Sequence, residues 1–148
     1  MDYLAAFEIS ASAMTAEKTR LEVVAMNLAN VNSTRSADGS LYQPLEVITG
    51  PKLNQTFDAY MQGLMGQMTG VSGTEVLEIR PLEVQPRLVH EPAHPDADEN
   101  GYVAYPNINP TAEMINLIET VRVYEANVQA MNAAKSMASR ALEIGSSR

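Results

Sequence analysis

The chain has no cysteine and no tryptophan, and aromatic residues make up only 5% of its 148 positions. Without cysteine there is neither a disulfide framework nor a thiolate metal site, and either redox compartment is compatible. Basic residues are few as well: 10 Lys and Arg face 18 Asp and Glu, a net charge of −8, and the basic ones are scattered. Binding to a phosphate backbone rests on clustered Lys and Arg, so nucleic acid is not an expected partner. An anionic membrane surface would repel the same charge. No run of about 18 apolar residues is present to cross a bilayer, so direct membrane insertion is not expected. The opening MDYLAAFEISASAM has no basic n-region and no unbroken apolar block, so a cleaved secretory signal is not expected.

What the chain does have is an ordinary apolar content of 45%, carried by alanine and nine methionines rather than by rings. Small and flexible apolar side chains suit helix seams. Residues 2–31 contain no proline or glycine and place Leu4, Phe7, Ala11, Met14, Leu21, Ala25 and Leu28 in a heptad series broken once, by Lys18. The pattern predicts one helix of about 28 residues, or ~42 Å. Residues 110–144 repeat it with Met114, Leu117, Val121, Tyr124, Val128, Met131, Ala138 and Leu142, broken by Lys135. Asn109 is placed as N-cap, Pro110 as first helical residue, and Gly145 as the stop beyond the end.

Further apolar residues, among them Ile115, Ile118, Val123 and Met137, widen the second stripe beyond what one seam can bury. The surplus is expected to pack against neighbouring chains. The fold class expected is mainly α, the two long helices pairing as an antiparallel coiled-coil hairpin with a small β-rich insert. A register that sums positions to about 143 sets Lys18 beside Glu125 and Lys135 beside Glu8. The helical domain is then discontinuous, residues 1–32 and 108–148, and the insert spans 33–107.

Within the insert, Asp38-Gly39 reads as a turn and Leu45–Thr49 as a short strand. Residues 53–73 are rich in Met and Gly and read as a flexible loop. Residues 74–90 alternate apolar and polar, with Pro81 and Pro86 confining strands to edges or ends. Asn100-Gly101 reads as a turn leading into a strand at Tyr102–Tyr105.

Chemistry is hard to build from this material. His90 and His94 have H-x₃-H spacing, but Pro92 between them opposes the helix that would align them on a metal. Asp96, Asp98 and Glu99 read as a solvated acidic loop, since the later positions of a calcium loop fall on Tyr102, Ala104 and Pro106. No phosphate-binding glycine loop, dinucleotide fingerprint or nucleophile elbow occurs. The expectation is no catalytic residue, no metal, no cofactor and no enzyme activity.

The residues NLANVNSTRSADG at 27–39 stand out where the first helix gives out. Asparagine tolerates left-handed backbone, so Asn30 or Asn32 can end a helix without glycine. Asn27 lies inside the last turn, where no cap is needed, and its amide both donates and accepts, which suits bridging to a neighbouring subunit.

Three separated stretches resemble the flagellar basal-body rod proteins, the proximal rod members in particular. SAMTAEKTRLEVVAMNLANVNSTRSADGSLYQP is similar to the family's N-terminal signature, a helix with Arg20 before a leucine, then N-x-A-N and a threonine, Thr34. HPDADENGYVAYPNIN resembles the segment that sets this member apart from its relatives. EMINLIETVRVYEANVQAMNAAKSMASRALEIG is similar to the C-terminal helix, with R-x-Y-E-A-N at Arg122–Asn127. Residues 53–73 match nothing in that pattern.

The resemblance implies a structural axial subunit. Its helices would line the inner tube of the rod, its insert would face outward, and it would stack helically with copies of itself and other rod proteins. It would sit in the basal body's periplasmic rod above the membrane-ring base, transmit torque, and leave the cell through the flagellar type III export apparatus without signal cleavage. Asn27, Ala29, Asn30, Thr34, Arg122, Tyr124 and Asn127 become candidate assembly or joint residues. The rival reading is a cytosolic coiled-coil oligomerisation or adaptor module, which shares the heptads but predicts a finite oligomer.

Overall fold

The computed structural model describes residues 3–36, 39–53 and 71–146. Helix α1 runs Tyr3–Ala29 and α2 runs Pro110–Ser146. Between them lie β1 (Leu45–Leu53), β2 (Val71–Pro81), β3 (Arg87–His90) and β4 (Tyr102–Tyr105). The described strands form two two-stranded sheets, β1 with β2 and β3 with β4. No described helix is long and apolar enough to cross a membrane.

The start of α2 follows its local chemistry. Asn109 Oδ1 accepts the backbone N–H of Thr111 at 3.0 Å and of Ala112 at 3.3 Å, and Pro110 takes the first helical position, where no N–H is missed. The far end departs from expectation. Gly145 is helical rather than a stop, and its φ is not positive. An interior glycine costs a helix only about 1 kcal/mol, too little to force an ending.

The end of α1 is also built differently. Among the described residues only Gly39, Gly73 and Gly101 have positive φ, so no asparagine takes the left-handed cap. Instead the helix tightens: Asn30 N donates to Met26 O (3.1 Å) and Asn27 O (3.2 Å), Val31 N to Leu28 O, and Ser33 N to Asn30 O. Such shortened bonds satisfy the last carbonyls without glycine. Asn30 adds a side-chain bond, Nδ2 to Met26 O at 2.9 Å.

The strands lie near their predicted places, with two extensions: β2 begins at Val71, inside the stretch predicted as a loop, and β1 runs on at its far end. β1 continues past Thr49 through Gly50 and Pro51 to Leu53. Among the described strands β1 has a neighbour on one side only, and an edge strand is where a proline such as Pro51 is tolerated. β2 ends on Pro81 and β3 starts after Pro86. Of the predicted Met/Gly-rich loop, residues 54–70 lie outside the described residues, as does Asp38 of the predicted turn. β3 and β4 are antiparallel, pairing Arg87 with Tyr105, Leu88 with Ala104, Val89 with Val103 and His90 with Tyr102.

The chain divides into two compact units. One comprises Arg20–Ile48 and Glu78–Thr120. Its buried residues include Val23, Val24, Pro44, Val103, Pro106 and Ile108, with Asn27 and Thr120 as buried polar groups. Val103 is fully buried because strand alternation turns it, with Val89, away from the face carrying Leu88 and Tyr102. The other unit comprises Met1–Thr19, Thr49–Leu77 and Val121–Arg148. Its buried residues are small: Ser10, Ala16, Gly73 and Ala134.

Candidate assembly joint

The last turn of α1 carries a side chain with three hydrogen bonds. Asn27 is 3% exposed. Its Nδ2 donates to Leu45 O at 2.9 Å, and its Oδ1 accepts both Leu45 N at 2.9 Å and the Tyr42 hydroxyl at 2.9 Å. A buried amide must find such partners or lose one to several kcal/mol. Tyr42 in turn has its pKa raised, first by burial and second by the negative charge of Glu113 on α2. The amide expected to bridge to a neighbouring subunit is therefore engaged inside its own chain. Helix geometry makes this possible, because Asn27 lies on the covered side of α1 with Val23 and Val24, one turn earlier.

A second set of bonds organises residues 91–101. Asp98 Oδ1 accepts Asn100 N at 2.9 Å and Tyr102 N at 2.8 Å, Asp98 N donates to Tyr102 O, and Gly101 turns the chain at φ 77°. Aspartate closing a turn on its own backbone is the reason D-x-N-G folds this way. Asp96 ties the loop to the segment after α1: the Thr34 hydroxyl donates to its Oδ2 at 2.8 Å, and Arg35 lies 3.8 Å from its Oδ1. His94 accepts the Asp96 N–H on Nδ1 at 3.1 Å, and His90 packs edge-on against Tyr102. The acidic loop is thus internally bonded rather than merely solvated, and its histidines serve its backbone and its rings.

The remaining candidates are distributed along the helices. Ala29 and Arg122 are exposed, and Tyr124 is 37% exposed. Asn127 is half-buried and donates to Val123 O at 2.9 Å within its own helix. Along α1, Phe7, Met14, Leu21 and Leu28 are half-buried while Ala11 and Ala25 are exposed. The side chain of Leu4 lies outside the described residues. Along α2, Leu117, Val121, Val128, Met131 and Ala138 are half-buried, whereas Met114 (48%) and Leu142 (76%) are exposed. On both helices most of the buried residues precede heptad positions by one: Ser10, Val24 and Asn27 before Ala11, Ala25 and Leu28, and Thr120 and Ala134 before Val121 and Lys135, with Ala16 and Val23 the exceptions. An apolar stripe wider than about 100° does not define its own centre.

Sequence reasoning did not single out Ser12, Tyr42 or Gly73. Tyr42 had a signal, as one of only six tyrosines and two residues before a proline at a strand entry. Ser12 had none, because a serine on a helix face is unremarkable until its partner strand is known.

Two family models match this chain, a flagella basal body rod protein model over residues 7–35 and the C-terminal model of the flagellar basal body rod FlgEFG proteins over 99–144. The first covers most of α1 and the Asn27–Thr34 stretch, the second Asn100-Gly101, β4 and nearly all of α2. Flagellar basal-body rod protein FlgC of Bacillus subtilis is 38% identical over 93% of this chain and 94% of its own. This chain belongs to the FlgC family of flagellar basal-body rod proteins. FlgC of Salmonella typhimurium is 36% identical over 98% of this chain and 99% of its own, and FlgC of Borreliella burgdorferi 32% over 97% and 98%. This rod protein is accordingly a structural subunit of the flagellar basal body, not an enzyme, and the adaptor reading has no support in its relatives.

Proposed function

We propose that this rod protein is an axial subunit of the proximal rod that polymerises helically with copies of itself and other rod proteins, transmits torque and lines the export channel. The observation that carries this is the pattern of matched segments: most of each long helix falls within a rod family model, and relatives named as rod proteins align over nearly the whole chain. In this reading α1 and α2 pair antiparallel as a coiled-coil hairpin. The heptad residues of both helices form its seam, with the half-buried Phe7, Met14, Leu21, Leu28, Leu117, Val121, Val128, Met131 and Ala138 among them. The outward residues Ile115 (52%), Ile118 (51%) and Met137 (50%) meet neighbouring subunits. An apolar face that one hairpin leaves open calls for partners, and a contact that does not close on itself builds a tube.

The subunit works in the periplasmic rod, above the membrane-ring base, after passage through the flagellar export apparatus without a cleaved signal. Asn27, Ala29, Asn30, Thr34, Arg122, Tyr124 and Asn127 form the joint between inner helices and outer insert. Deleting the gene should abolish hook formation and motility while leaving the export gate intact. A motile deletion strain would overturn the reading. The hairpin register has its own test: Lys18→Glu should weaken assembly and Glu125→Lys should partly restore it, and absence of rescue rejects that register.

A further inference from the structure

Asn27 meets Leu45 in the way one strand residue meets its partner. In an antiparallel sheet a hydrogen-bonded pair exchanges both N–H···O bonds. Here the side-chain amide does the same, donating to Leu45 O and accepting from Leu45 N, each at 2.9 Å. Leu45 is the first residue of β1, and the preceding Pro44 is buried with its carbonyl accepting Leu82 N at 2.7 Å. The geometry points to Asn27 as a positioning residue, a one-residue strand on α1 that sets where β1 begins and in which register the insert leaves the helix. This deepens the joint reading above and rests on it for its meaning in the rod, but its chemistry can be tested separately.

The specific requirement is a donor facing Leu45 O beside an acceptor facing Leu45 N. Asn27→Asp keeps the shape and the acceptor but turns a second oxygen toward the Leu45 carbonyl. As a carboxylate it is buried and repelled, and as a neutral acid it donates an O–H and restores the pair. The carboxyl introduced would therefore hold its proton more tightly folded than unfolded. A group whose folded pKa is raised favours the fold below its unfolded pKa and loses that contribution as pH rises through the folded one. The titratable groups at the site are Tyr42, donating to the same Oδ1, and Glu113 of α2, acting on Tyr42. The preceding turn of α1 presents Val23 and Val24, and the turn after it Asn30 and Val31.

The test compares thermal unfolding of the full-length protein with Asn27→Asp and Asn27→Ala from about pH 7.5 to about pH 5, above the ordinary aspartate value of ~3.9. Both variants should melt roughly 5–10 °C below the parent at the upper pH. The Asn27→Asp deficit should shrink by about half or more on acidification, while that of Asn27→Ala stays constant. If Asn27→Asp is unfolded at the upper pH, recovery of native circular dichroism on acidification is the same signature. An Asn27→Asp deficit as flat as that of alanine overturns the proposal, as does a variant as stable as the parent at the upper pH. Rod assembly separates the two readings. Normal rods in an Asn27→Asp strain that shows the pH signature would sink the assembly joint and leave the strand mimic standing.

Discussion

Ser12 on α1 accepts the backbone N–H of Thr74 at 3.1 Å while its own hydroxyl donates to the Ile9 carbonyl at 2.8 Å. The bond holds the start of β2 on the helix, and Gly73, at φ 133°, lies against the same hydroxyl so closely that a Cβ would collide with it. Backbone conformation and space both exclude a side chain there.

Gly73→Ala should therefore cost about 2 kcal/mol or more, since it combines a disfavoured backbone conformation with a clash. Faster hydrogen exchange at the Thr74 amide and a reduced yield of rods would show it. Gly50→Ala is the contrasting case. Its Cβ would meet Leu77 Cδ1 at 2.6 Å, but Leu77 is 60% exposed and its side chain can swing aside. The expected change is within roughly 1 kcal/mol.

Tyr42 should impose an alkaline limit on stability. Its pKa is raised by burial and then by the Glu113 charge, so the contribution of the neutral phenol is whole below the ordinary value of 10.0 and is lost as pH rises through the higher folded value. The phenolate can no longer donate to Asn27. Tyr42→Phe should cost roughly 0.5–1.5 kcal/mol at neutral pH through the lost hydrogen bond. It should also flatten the alkaline fall, measured as urea midpoints across that range.

Asp98 separates the need for an acceptor from the need for charge. Asp98→Ala removes the acceptor for Asn100 N and Tyr102 N and should cost about 1–2 kcal/mol, whereas Asp98→Asn keeps an oxygen in place and should cost less than half of that. Equal losses in the two variants, read by chemical denaturation, would contradict this account of the turn.

Stability should be uneven along each helix. The valines, prolines and isoleucine of the unit comprising 20–48 and 78–120 remove more apolar area from water than the alanines, serine and glycine of the other unit. Amides near Val23, Val24, Val103 and Ile108 should be the slowest to exchange in the isolated subunit, and those of 3–19 and 121–146 markedly faster. Uniform protection along α1 and α2 would show that the helices are stabilised without neighbours.

Much of this protein was determined locally. The two long helices follow from heptad series each broken only once, the start of α2 from Asn109-Pro110, and the end of β2 and start of β3 from Pro81 and Pro86, because caps and prolines act on their own few residues. The signatures at Asn27–Thr34 and Arg122–Asn127 were enough to suggest the family, which the relatives then showed. Only the tertiary structure decided which side of each helix is covered, since a broad apolar stripe has several admissible centres. It also decided what Asn27 does. A polar side chain declares that it needs partners but not which ones, and here Leu45 and Tyr42, 18 and 15 residues away, were brought to it by the fold.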